Sequence, residues 1–253
     1  MKISFVCSPK HDRAVEAYNQ LIKIHEDMTP EKADVFVILG GDGTMLHALH
    51  ALMRYKKPFY GMNLGTVGFL MNPVQIDGLC HRIKKAVSTK VNPLLMRAEC
   101  VNGQCVKSHA FNEVSFLRQT HQAAKMKVWI DGIVRLEELI ADGILLSTSA
   151  GSTAYNLSNK GPILPIDSGL LVLTPISPFR PRHWQSVLLK ETVDVTVDIQ
   201  SPQTRPVSAT ADFIETRGIQ RVRIHQDQNA KVTLLFDPEG SLEERTLQEQ
   251  FRA

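Results

Sequence analysis

The chain has 253 residues, 43% of them hydrophobic and 22% charged, with a formal net charge of +3. That length can bury a sizeable core, and the composition is that of a folded globular protein, which excludes disorder as the default. The small positive charge and the few aromatics, not interleaved with arginines, argue against a nucleic-acid partner, and no apolar stretch approaches the ~20 residues that span a bilayer. Cys7, Cys80, Cys100 and Cys105 show no CxxC spacing, as expected of reduced thiols in a cytoplasmic protein. The apolar run within Met1–Cys7 is too short for a signal peptide.

Ile3 to Cys7 reads as a first strand, and Ala14, Ala17, Tyr18, Leu21 and Ile22 mark one helical face that ends at Thr29-Pro30. Val35-Phe36-Val37-Ile38-Leu39 is a short apolar run of the kind that forms a buried parallel strand. It meets Gly40-Gly41-Asp42-Gly43-Thr44, after which Thr44 is expected to cap a helix carrying Met45, Leu46, Leu49, Leu52 and Met53 on one face. Strand, glycine turn and helix N-terminus together form a phosphate site, because glycine lets the backbone approach an anion and free N–H groups point at it. Asp42 is the acid inside this turn, suited to binding a cation or taking a proton from an attacking hydroxyl. The alternative is an ordinary tight turn with Asp42 in an Asx-turn. Neither GxGxxG nor a P-loop lysine is present.

A third strand, Phe59 to Asn63, leads into a second glycine loop, Leu64-Gly65-Thr66-Val67-Gly68-Phe69-Leu70, and Ile76, Leu79, Ile83 and Val87 recur at helical spacing. Alternating strands and helices predict an α/β, doubly wound parallel sheet with ligands at the carboxyl ends of its strands, where both glycine loops lie. Near Val91-Asn92-Pro93 the pattern changes. Asn102-Gly103 separates Leu94–Val101 from Gln104–Phe116, and Asp131-Gly132 separates Lys125–Ile130 from Ile133–Ile140, both hairpin signals. Further strands are expected at Leu170–Leu173, Val187–Leu189, Val193–Ile199, Val207–Ala211, Val222–Ile224 and Val232–Phe236. These predict a mostly antiparallel, sandwich-like second domain. The expected organisation is an α/β domain over 1–92, a β-rich domain over 93–236, and a tail over 237–253 whose short helix, Leu242 to Phe251, packs back on the first domain.

Within the β-rich part, Asp142-Gly143-Ile144-Leu145-Leu146-Ser147 runs into Thr148-Ser149-Ala150-Gly151-Ser152-Thr153-Ala154-Tyr155-Asn156-Leu157-Ser158. A strand gives way to hydroxyl-bearing residues, a glycine and a helix carrying Tyr155. Backbone N–H groups, hydroxyls and one aromatic face suit a nucleoside better than a hydrophobic ligand. A polar loop capping a helix is the plainer alternative.

GGDGT resembles the signature shared by NAD kinases, diacylglycerol kinases and phosphofructokinases. Together with Asn63-Leu64-Gly65-Thr66-Val67-Gly68-Phe69-Leu70, the pair Asn112-Glu113, the GSTAY segment and Gly161-Pro162, the order and spacing are similar to bacterial NAD kinases over both domains. The resemblance implies transfer of the ATP γ-phosphoryl to the 2′-hydroxyl on the adenosine side of NAD, with a divalent metal, usually Mg²⁺, in a homodimer or homotetramer. It implies that Asp42 is the catalytic carboxylate and that Gly40, Gly41, Gly43 and Thr44 approach phosphate. His47 would stand where a basic or polar residue meets the pyrophosphate, and Asn112 and Glu113 would hold the adenosine portion. Ala150, Thr153, Ala154, Tyr155, Asn156, Leu157 and Ser158 would wall an adenine or a nicotinamide. Asp142 would reach the nicotinamide end, with a neighbouring subunit as one source of that contact, and Ser177 would line the same pocket.

Two departures stand out. The threonine-proline-threonine/serine usual before GSTAY is here Thr148-Ser149-Ala150, which removes a proline and a hydroxyl. The late Asp-x-Gln appears as Ala211-Asp212-Phe213-Ile214, so Asp212 is carried over on position alone. Three other features read differently. His47 and His50 lack a third ligand and the HExxH glutamate, and no protein metal site is expected. His109, His121 and His225 read as strand-surface residues, and Glu137 and Glu138 as a solvated edge. A lipid kinase would share GGDGT but has no use for Asn112-Glu113 and the polar GSTAY segment. A non-catalytic nucleotide sensor would not need Asp42.

Overall fold

The computed structural model describes residues 1–9, 11–65 and 68–251; Thr66 and Val67 of the second glycine loop lie outside them. The chain forms two compact units, one of Met1–Asn92 joined by the segment from Asn229 onward, the other Pro93–Gln228.

The first unit begins β1 (Ile3–Cys7), α1 (Asp12–Leu21), β2 (Val35–Gly40), α2 (Asp42–Leu52), β3 (Phe59–Asn63), β4 (Asn72–Pro73), α3 (Leu79–Lys85) and β5 (Val87–Val91). β1 to β4 pair in parallel in chain order. Alternation sorts the side chains of β2 and β3 between two helical layers. Val35, Val37, Leu39, Tyr60 and Met62 pack with Ala14, Ala17 and Leu21 of α1 and with Leu79 and Ile83 of α3. A Cβ on Gly61, which faces the other way, would lie 2.7 Å from Met45 Cε of α2. Helices therefore cover both faces, which is why β2 is buried along its whole length.

Two local expectations change. α2 starts at Asp42 with Gly41 as its N-cap, so Thr44 is not the cap. It sits in the first turn, where its Oγ1 fills the space above Gly40, 2.3 Å from where a Cβ there would stand. The helical spacing that continued to Val87 stops at Lys85, and Val87 opens β5.

The second unit contains β6 (Leu94–Cys100), β7 (Cys105–Ala110), β8 (Glu113–Arg118), β9 (Ala124–Ile130), β10 (Ile133–Ser147), α4 (Tyr155–Ser158), β11 (Leu170–Arg180), β12 (Val187–Lys190), β13 (Val195–Ile199), β14 (Val207–Ala211), β15 (Ile214–Thr216) and β16 (Ile219–Gln226). They pair in one antiparallel ladder, β15-β14-β8-β10-β9-β13-β16-β6-β7, with β11 also on β10 and β12 on β11. The ladder bends over a shared core drawing Met96, Phe116, Met126, Leu146, Val197 and Ile224 from different strands, and brings β14 beside β16 and β6 beside β8. The Asp131-Gly132 turn takes left-handed φ of 51° and 75°, as a two-residue hairpin requires. The segment read as one strand, Gln104–Phe116, breaks at Phe111-Asn112. There the chain leaves β6 as partner and takes up β10 and β14.

The chain then closes with β17 (Val232–Phe236) and α5 (Leu242–Gln250). Val232–Phe236, expected in the β-rich domain, instead inserts into the first sheet, parallel to β3 and antiparallel to β5. Asn72 pins it there. Its Nδ2 donates to the carbonyls of Gly61 and Leu235, at 3.1 and 2.9 Å, and its Oδ1 accepts from the Asp237 amide at 2.9 Å. Asp237 in turn accepts from the Tyr60 hydroxyl at 2.8 Å and pairs with Arg82.

Candidate functional site

In the first unit the site forms where β2 ends. Gly40 is buried at the strand end, while a Cβ added to Gly41 or Gly43 would meet nothing within 4 Å. At those two positions packing does not demand glycine, and the open space leaves room for a ligand to approach the backbone. Asp42 leads the helix, half-buried, and its two carboxylate oxygens accept from the amides of Phe69 at 2.7 Å and Leu70 at 2.8 Å. The second glycine loop thus reaches the acid of the first. Burial pushes the Asp42 pKa above the ordinary carboxyl value, opposed by the Leu70 and Phe69 amides and by the Arg245 guanidinium. His47 lies exposed on α2.

In the second unit the break at Phe111-Asn112 is the organising feature. Asp212 caps the turn between β14 and β15 at a φ of 55°. Its carboxylate accepts from the amides of Phe111, Asn112 and Glu113, at 2.8, 2.9 and 3.4 Å. Asp212 was expected among ligand-binding residues. The structure instead spends its oxygens on the backbone that presents Asn112 and Glu113. Asn112 uses its carbonyl to receive the Thr148 amide at 2.9 Å and the Ser147 hydroxyl at 3.2 Å.

The GSTAY segment folds as a single 3₁₀ turn, Ala150–Thr153, followed by the four-residue α4. Thr148 Oγ1 donates to the Phe111 carbonyl at 2.7 Å and accepts the Gly151 amide at 3.0 Å. A Cβ on Gly151 would stand 2.2 Å from the Asn112 carbonyl oxygen, so only glycine permits this approach. Where the proline is missing, Ser149 donates to the Leu170 carbonyl at 3.0 Å and lies 3.2 Å from the Ser168 hydroxyl. A hydroxyl tether thus anchors the turn to β11.

Asn156 departs from the expected wall. It is fully buried, its amide donates to the carbonyls of Ser152 and Pro162, and its Oδ1 accepts the Thr174 hydroxyl at 2.7 Å. Every polar atom of its side chain is used inside the protein, so it shapes the turn rather than touching a ligand. Ala150, Thr153, Ala154 and Tyr155 are half-buried, and Leu157 and Ser158 exposed. Asp142 pairs with Arg118 at 2.6 Å, and Ser177 is exposed with a φ of 47°.

Glu113 is the unusual group. It is 8% exposed, the Tyr155 backbone N–H reaches its carboxylate, and its Oε2 has no hydrogen-bond partner among the described residues. Burial, then the charge of Asp212, push its pKa up to about 8. An orphan buried oxygen of this kind is ready to bond a ligand hydroxyl or amine.

Sequence reasoning marked both glycine loops and the acid but missed the Phe69 and Leu70 amides as its holders. It also missed Arg245, since nothing in a polar tail helix tells which carbonyls a guanidinium will find.

A carboxylate at the N-terminus of a helix, in a glycine turn at a parallel strand's end, is the kind of feature that suits a nucleotide-using phosphotransferase, and the second unit carries a polar turn that suits a nucleoside. Residues 3–91 match the family described as ATP-NAD kinase N-terminal domain, and residues 111–235 that described as ATP-NAD kinase C-terminal domain. The NAD kinase of Caulobacter vibrioides is 49% identical over 252 residues, covering 100% of this chain and 96% of the relative. That of Brucella suis is 47% identical over 252 residues, covering 100% and 98%. Among solved structures, yeast NADH kinase complexed with NADH superposes with a TM-score of 0.85 at 20% identity, over 100% of this chain and 88% of that one. The chain belongs to the ATP-NAD kinase family.

Proposed function

We propose that this enzyme transfers the γ-phosphoryl of ATP to the 2′-hydroxyl of the adenosine ribose of NAD, giving NADP and ADP, with Asp42 as the residue that takes the hydroxyl proton. The observation that carries the role of Asp42 is its double amide clamp. Phe69 and Leu70 fix the carboxylate plane, and a carboxylate still has lone pairs to spare for a hydroxyl. A sugar hydroxyl is a poor nucleophile at neutral pH, so an oriented base lowers the barrier where phosphoryl transfer otherwise relies on positioning and charge neutralisation. The open faces of Gly41 and Gly43 and the first-turn amides of α2 suit the phosphates. Glu113 Oε2, orphaned and buried, suits the adenosine portion, with Asn112, Ala150, Thr153, Ala154 and Tyr155 around the base. Asp142 and Ser177 in the second unit, and His47 in the first, are further polar groups that this reading assigns to substrate.

No three Asp, Glu, His or Cys side chains converge on a cation among the described residues. A divalent ion, Mg²⁺ in our reading, fits as an ion carried on the triphosphate, the usual habit of this cation, and would neutralise charge on the phosphate oxygens when bound. A homodimer or homotetramer is the assembly we infer, supported by Phe179 and Leu188, exposed at 56% and 52%; the mass in solution tests it. A cytoplasmic setting is supported by four free cysteines, and no described helix is long and apolar enough to cross a membrane.

The test is turnover of NAD to NADP by the wild type and by Asp42→Asn, with ATP and Mg²⁺. The amide variant keeps the shape and removes the basicity, and kcat is expected to fall by ~10²–10⁴-fold. Near-wild-type turnover would reduce Asp42 to a structural part.

A further inference from the structure

The segment Gly68–Met71 supplies both amides that hold Asp42. It borders a cavity of about 360 Å³ lined by Asn63, Gly68, Phe69, Met71, Pro73 and Arg245. One side chain from the far end of the sequence supports it. Arg245 Nη1 donates to the carbonyls of Gly68 at 3.2 Å and Phe69 at 3.1 Å, and also to that of Met71. The guanidinium is itself held. Its Nε donates to the Gly240 carbonyl at 2.9 Å, and its carbon lies 5.4 Å from the centroid of the Phe236 ring. α5 anchors the stem by burying Leu242 and Thr246.

We propose that Arg245 is a positioning residue for the reaction: by gathering the carbonyls of Gly68, Phe69 and Met71, it aims the Phe69 and Leu70 amides at Asp42. The two sides of each peptide unit are rigidly linked, so a carbonyl fixed from below fixes the neighbouring N–H above. A planar guanidinium can serve several carbonyls at once, whereas an ammonium is a point charge. The same cation acts on Asp42 through space, with Asp237 and Tyr60 acting on Arg245 in turn. It favours the ionised base, although burial keeps the Asp42 pKa raised.

This inference rests on the role given to Asp42, and the experiment separates the two. Arg245→Ala is expected to lower kcat by ~10–100-fold while the KM values for NAD and ATP stay within about two-fold, because misplacement of a reacting group costs turnover more than binding. The acidic limb of the kcat profile should move to higher pH, since the cation that opposed protonation of Asp42 is gone. Hydrogen exchange at the Phe69 and Leu70 amides should quicken, with the interior amides of α2 unchanged. Arg245→Lys is the milder variant: it should keep the acidic limb near its wild-type pH and lose kcat by only ~3–10-fold. Should the alanine variant fail to fold, the lysine variant decides by the same readings. Unchanged exchange at Phe69 and Leu70 would overturn the inference whatever Asp42 does. Quickened exchange with unchanged kcat and pH profile would overturn it too, by showing that the clamp is not used in turnover. The reading of Asp42 as the base falls separately, on Asp42→Asn.

Discussion

Two carboxylates in this protein sit in opposite electrostatic situations. Asp42 has an amide on each oxygen and a guanidinium acting on it. Glu113 has one buried oxygen with no partner and an acid, Asp212, as its charged neighbour. Burial raises the pKa of both; at Asp42 two amides and a guanidinium oppose the rise, whereas at Glu113 the charge of Asp212 adds to it and one amide, that of Tyr155, opposes it. The contrast teaches how backbone amides assign roles. A carboxylate with an amide on each oxygen is kept available as a base, and one with an oxygen left unmet is kept as a donor or an acceptor awaiting a ligand. Asp212 extends the series: its carboxylate takes three backbone amides and holds the segment that presents Asn112 and Glu113.

If amide supply decides these roles, the largest effect after Asp42→Asn should come from Asp212→Asn. The substituted carboxamide turns an N–H₂ toward amides that need an acceptor. A loss of roughly 2–4 kcal/mol in unfolding free energy is expected from denaturant titration. Removing its charge should also lower the Glu113 pKa toward the ordinary value, visible by NMR titration of the Glu113 side chain.

A smaller break follows from Gly151→Ala. The new methyl meets the Asn112 backbone, which cannot yield as a flexible side chain would. A cost of about 1–3 kcal/mol is expected, read from thermal unfolding, with a raised KM for NAD because Asn112 and Glu113 shift together.

Glu113→Gln sharpens the comparison most gently. The Glu113 pKa lies at about 8 folded against an ordinary 4.5, so between those values the folded chain holds a proton that the unfolded chain has lost. Stability from this group therefore falls as pH rises through that window and levels off above it. The neutral glutamine escapes the loss. Its unfolding free energy relative to wild type should be near equal at pH 4 and higher at pH 8.5.

Much of this was legible in residue order alone. Val35–Leu39 reads as a buried strand, the glycines after it as a turn, and Asp131-Gly132 as a tight hairpin, because each signal is local. Thr44 misled, since a hydroxyl after glycines reads as a cap whether the helix starts there or two residues earlier. Asn156 misled because a motif position does not say whether its amide faces a ligand or Thr174 and Ser152.

What the sequence by itself determined is the set of local elements, the glycine turn with its acid, and the resemblance to a family. Only the tertiary structure decided where distant segments would pair. Val232–Phe236 follows its β-rich neighbours in sequence, yet Asn72 and β3 draw it into the first sheet. The partners of Asp42, at Phe69, Leu70 and Arg245, come from two far stretches of chain. Period and turn chemistry are properties of neighbouring residues, whereas pairing and charge depend on which groups meet in space, and no short window of residues contains both partners.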